Sequence, residues 1–100
     1  MICLDEKYLE IIREIVNREI RDEHAELYLF GSRARGENRQ TSDIDLALRS
    51  DTDLTSTLVR LREKFEESLI PYEVDVLQLE KAGEAFQEEI KREGVLIWKK

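Results

Sequence analysis

The chain has 100 residues, 41% of them hydrophobic, and carries 23 acidic against 16 basic side chains for a net charge of −7. That length makes one domain, residues 1–100, with a single modest core; the acidic balance speaks against direct nucleic-acid binding and suits a small-molecule substrate or a basic protein partner. One cysteine, Cys3, excludes an internal disulfide, and neither a signal peptide nor the roughly 20 apolar residues of a membrane span is present, so a soluble protein in a reducing cytoplasm, with no membrane partner, is expected.

Residues 5–22 place Tyr8, Ile11, Ile12, Ile15, Val16 and Ile20 at three- and four-residue spacing, which predicts an amphipathic helix. His24 follows as a cation near its C-terminus. Residues 26–31 predict a first strand, too short and apolar for a surface helix. Gly31 ends it where the backbone needs freedom, and Ser32 suits the N-cap of a short helix. Residues 37–42 form a polar loop, and 43–49 predict the second strand. A long helix over 54–68 follows, with Leu54, Leu58, Leu61, Phe65 and Leu69 facing the core. Asp51 and Asp53 suit its N-terminal dipole, and Pro71 stops it. Residues 72–78 predict the third strand. Residues 80–93 predict a last helix with Ala82, Phe86 and Ile90 inward and Gly94 as C-cap. Residues 95–98 make a short edge strand, with Trp98 as a packing anchor. A long helical connection makes strands two and three parallel through a right-handed crossover. A short connection makes strands one and two antiparallel. The expected fold class is α+β: a small mixed sheet, strand order 1-2-3, with helices packed on it.

Chemistry concentrates in two stretches, Leu29-Phe30-Gly31-Ser32-Arg33-Ala34-Arg35-Gly36 and Asp43-Ile44-Asp45-Leu46. Residues i and i+2 of a strand share a face, so Asp43 and Asp45 project together while Ile44 and Leu46 turn inward. Like charges side by side repel, and a divalent cation such as Mg²⁺ is the simplest remedy. Asp75, set between Val74 and Val76, joins them if strand three lies beside strand two. Three carboxylates would then hold two Mg²⁺ ions, with Mn²⁺ as an alternative, in the manner of in-line phosphoryl displacement. Asp75 is also placed to accept the acceptor's proton. Gly31 and Ser32 suit the phosphates of a nucleotide. Arg33, Arg35 and Arg39 add positive charge for the nucleotide or for a partner.

At these residues the sequence resembles the DNA polymerase β-like nucleotidyltransferases, and in particular their minimal branch. The family pattern is an apolar residue, Gly-Ser, about ten residues, Asp-x-Asp, and a third acid on a later strand. Here that is Phe30-Gly31-Ser32, then Ser42-Asp43-Ile44-Asp45-Leu46, and Asp75. The resemblance implies the nucleotidyltransferase fold, metal on Asp43, Asp45 and Asp75, and ATP or another NTP against Gly31 and Ser32. Members of this branch are paired with a HEPN-type toxin as its antitoxin, and some transfer AMP from ATP to a tyrosine of that toxin. Two alternatives stand beside this one. The chain is a non-catalytic antitoxin that covers a basic ribonuclease by contact, or it modifies a small molecule in a pocket between two copies.

Overall fold

The computed structural model describes residues 3–21, 24–37 and 43–100. Arg39 and Ser42, singled out above, lie outside the described residues, as does most of the expected 37–42 loop. The elements are α1 (Glu6–Glu19), β1 (Ala25–Phe30), β2 (Ile44–Ser50), α2 (Thr55–Glu67), β3 (Val74–Gln78), α3 (Glu84–Glu93) and β4 (Val95–Lys99). One mixed sheet runs β3-β2-β1-β4. β1 pairs antiparallel with β2 and β4, and β2 pairs parallel with β3. The expected order of three strands holds, and β4 is added at the β1 edge.

Alternation along the strands sorts the sheet into two faces. Leu27, Leu29, Ile44, Leu46, Leu48 and Val76 are all fully buried, packed with Leu9, Ile12 and Val16 of α1 and Leu58, Leu61 and Phe65 of α2. Trp98 packs partly buried against this core, as expected for an anchor. The opposite face carries a much smaller cluster, Ala47 with Leu79 and Ile90, flanked by Tyr28, Phe30 and Leu77. α3 covers that face only in part.

α1 is capped by Asp5, whose carboxylate accepts the Lys7 N–H at 3.2 Å. It ends at Glu19, short of the expected 22, because Ile20 adopts extended backbone. α2 starts where Asp53 accepts both the Thr55 N–H and its hydroxyl. Buried Gln78 fastens that start, taking the Leu54 N–H at 2.9 Å and donating to the Thr52 carbonyl at 2.8 Å.

Four expectations are corrected. Leu69 does not extend the α2 stripe: the helix ends at Glu67, Leu69 is 88% exposed, and Ile70 takes the core position instead. The last helix begins at Glu84, not 80. Leu79–Lys81 form a single 3₁₀ turn, and the Glu80 carboxylate turns back to accept the Ser50 N–H. Ala82 therefore precedes the helix. Phe86 is 41% exposed and meets Phe30 edge-to-face at 5.7 Å instead of entering the core. Residues 32–36 form consecutive turns, not a helix. Gly94 does cap α3, and a side chain there would strike the Ile90 carbonyl at 2.5 Å.

Candidate active site

The turn after β1 is one helical revolution, opened and closed by glycines. Gly31 and Gly36 have φ of 77° and 76°, a region costly for residues with a Cβ. The Arg35 N–H donates to the Gly31 carbonyl, Gly36 to Arg33, and Glu37 to Ser32. The last two bonds are the six-to-one and five-to-two pair that ends a helix at a left-handed glycine. This early closure is why Ser32 caps no helix. None of the three bonds draws on the N–H groups of Gly31 or Ser32.

The strands bring the acids together. Asp45 and Asp75 are register partners on the parallel pair β2 and β3, and Phe30 is the partner of Asp45 on β1. Asp43 lies just before β2, exposed. Gly31 thus lies against the Asp45 carboxylate: a Cβ on Gly31 would sit 2.6 Å from Asp45 Oδ2. The turn can approach the acid this closely only because residue 31 has no side chain. Partial burial pushes the Asp45 carboxyl above its ordinary value, and the negative charges of Asp75 and Asp43 push it the same way. Among the described residues, no three His, Cys, Asp or Glu side chains converge into a set that grips a metal as they stand. The hard oxygen donors nonetheless match Mg²⁺ in type, and the mutual repulsion at Asp45 is what a bound cation would relieve.

The two arginines of the turn part ways. Arg35 is exposed and pairs with Glu37 at 3.2 Å and with Glu93 at the end of α3 at 3.3 Å. Exposed pairs of this kind contribute roughly 0–1 kcal/mol, so a phosphate could take their place. Arg33 is 3% exposed. It donates to the Cys3 carbonyl at 2.9 Å, and its guanidinium lies 4.2 Å from the centre of the Tyr72 ring. These contacts hold Arg33 within the scaffold of the turn. Tyr72 was not singled out from the sequence, where nothing ties it to a residue 39 positions earlier. A groove of about 380 Å³ leads to Asp75 along the β3 edge, lined by Arg62, Phe65, Glu66, Pro71, Tyr72 and Glu73 among others.

Comparison with known proteins gives the family and the fold. Residues 8–100 match the family described as polymerase beta, nucleotidyltransferase. A Haemophilus influenzae protein, described as a probable protein adenylyltransferase MntA, is 36% identical over 93 residues, covering 92% of this chain and 80% of its own. Among solved structures, a toxin–antitoxin complex with AMP-PNP has a chain superposing with a TM-score of 0.77 at 25% identity, over 90% of this chain and 72% of that one. A chain from the complex of a tri-AMPylated Shewanella oneidensis HEPN toxin with its MNT antitoxin superposes with a TM-score of 0.74 at 22% identity. It covers 95% of this chain and 72% of its own, a likeness of fold. No helix among the described residues is long and apolar enough to cross a membrane.

Proposed function

The chain belongs to the polymerase beta nucleotidyltransferase family, and from that premise we propose that it moves AMP from ATP to a hydroxyl of a partner protein, a tyrosine of a HEPN-type toxin, and serves as that toxin's antitoxin. The observation that carries this is the register pairing of Asp45 with Asp75 beside a glycine that only a bare backbone position allows. The Haemophilus influenzae relative, a probable protein adenylyltransferase, and the related toxin–antitoxin complex with AMP-PNP support the donor and the kind of acceptor.

Asp43, Asp45 and Asp75 would hold one or two Mg²⁺ ions, with Mn²⁺ as a substitute; when bound, such ions neutralise phosphate charge and acidify the acceptor hydroxyl. Gly31 and Ser32 meet the triphosphate through backbone N–H groups and the Ser32 hydroxyl, and Arg35 exchanges its glutamate partners for phosphate. The acceptor oxygen bonds to the α-phosphorus, the α–β anhydride bond breaks, and pyrophosphate leaves. Asp75, exposed at the end of the groove, takes the hydroxyl proton.

The test is the intact mass of a HEPN-type partner from the same genome, after incubation with this chain, Mg²⁺ and ATP. A gain of whole adenylyl groups with the native chain, absent with the Asp43→Asn, Asp45→Asn double variant, is expected. A partner silenced equally by both, with no gain in mass, would replace transfer by neutralisation through contact, which the net charge of −7 would serve.

A further inference from the structure

We infer that Arg33 is a positioning residue for the transfer proposed above, on which this inference rests: it fixes the Gly31–Ser32 turn against the strands that carry the three acids. Its side chain is buried in an otherwise polar stretch and ties the turn to the N-terminal segment and to the start of β3. Arg33 Nη1 donates to the Cys3 carbonyl at 2.9 Å, and the Cys3 N–H donates to the Arg33 carbonyl at 2.8 Å. The two bonds run in opposite senses and staple the N-terminal segment along the turn. The guanidinium face lies on Tyr72, whose ring meets Tyr8 of α1 edge-on at 5.8 Å. The residue after Tyr72 is Glu73, whose carbonyl accepts the N–H of Ile44, the residue between Asp43 and Asp45. Asp75 follows two positions later on β3.

A short path of contacts therefore runs from the turn through Arg33 and Tyr72 into β2 and β3. On its other side the turn abuts Asp45 through Gly31, and Ala34 is sunk in the main core. The turn is held from both sides. A guanidinium suits this post because its plane can stack on a ring while its edge donates, which an ammonium cannot reproduce. Displacing a substrate-holding element by about 1 Å can cost on the order of 10²-fold in rate.

The experiment compares Arg33→Met, Arg33→Lys, Tyr72→Leu and Tyr72→Phe for kcat, for nucleotide KM and for amide exchange over residues 31–36. All are measured well below each variant's Tm. Arg33→Met and Tyr72→Leu are expected to lose about 10- to 100-fold in kcat with nucleotide KM changed less than about 3-fold. Their double variant should lose no more than the worse single, because both cut the same path. Tyr72→Phe keeps the ring and should restore kcat to within about 3-fold of the native chain, with Arg33→Lys between. A raised nucleotide KM at unchanged kcat in Arg33→Met would make Arg33 a nucleotide ligand and overturn the inference. A lowered Tm with kcat and KM both native would overturn it as well. If the native chain transfers nothing, the functional proposal fails separately. Amide exchange then decides: faster exchange over 31–36 in both Arg33→Met and Tyr72→Leu upholds the positioning role, and unchanged exchange refutes it. Should Arg33→Met not fold, Tyr72→Leu and Arg33→Lys carry the same comparison.

Discussion

The two faces of the sheet are built from alternate residues of the same strands, yet they do opposite things. On β2, Ile44, Leu46 and Leu48 are sealed beneath α1 and α2, while Asp45 and Arg49, two steps from one another across Ala47, stay half-buried on the other side. The covered face supplies burial, at about 25 cal/mol per Å² of apolar surface. The open face spends some of that stability to hold a carboxylate beside two others. A period of two residues lets seven residues of one strand serve both ends, and it separates the positions where substitution should unfold the chain from those where it should silence it.

The largest expected effect is on the open face. Asp43→Asn with Asp45→Asn should lower transfer by about 10³-fold or more with the fold intact by circular dichroism, on the scale of removing groups that act as a unit. Next comes the covered face. Leu46→Ala should cost about 2–5 kcal/mol in denaturant unfolding, while kcat below the Tm stays within about 3-fold of native, since Leu46 lies on the core face of β2, opposite Asp45. A kcat that fell with stability would blur the two faces into one. Gly31→Ala tests the line where they meet. Its φ of 77° should cost about 1–3 kcal/mol. Its new Cβ would drive the Asp45 carboxylate aside, lowering kcat by about 10²-fold.

Much of this contrast was legible in the sequence because it is local. The alternation of Asp43, Ile44, Asp45 and Leu46, the spacing of α2, and the lengths of the connections between strands suffice for element order, strand directions and the acids' shared face. What was not legible depended on distant partners or on where an element stops. Arg33 sits in a polar motif and resembles a surface cation. Its partners include Cys3 and Tyr72, 30 and 39 residues away. Leu69 continues the α2 spacing on paper, but Ser68 has already turned to extended backbone, and its hydroxyl donates to the Phe65 carbonyl at 2.6 Å. The turn at 31–36 has the composition of a helix start, and Gly36 closes it after one revolution.

A smaller effect belongs to neither face and serves as a control. Asp53, at the start of α2, is held down to about 2 from 3.8 by its bond from Lys81 and then by those from Thr55. A lowered carboxylate contributes stability above pH 3.8 that is lost as pH falls through about 2. Asp53→Asn should therefore flatten the acid limb of the Tm-against-pH curve in that window and leave transfer at neutral pH unchanged. A change in transfer would tie α2 to the site.

Asp45→Asn offers the most direct test, read for Tm and transfer on the same sample. The Asp45 carboxyl titrates above its ordinary 3.8, so the folded state binds its proton more tightly than the unfolded chain does. Asp45 therefore weakens the fold as pH rises past 3.8 and through that raised value, and it does so fully at neutral pH. Removing the charge should raise the Tm at pH 7, a gain that shrinks as pH falls below the carboxyl's ordinary 3.8, while transfer is lost. A variant that keeps transfer, or that is less stable at pH 7 than the native chain, would contradict the division of the sheet into a face for folding and a face for chemistry.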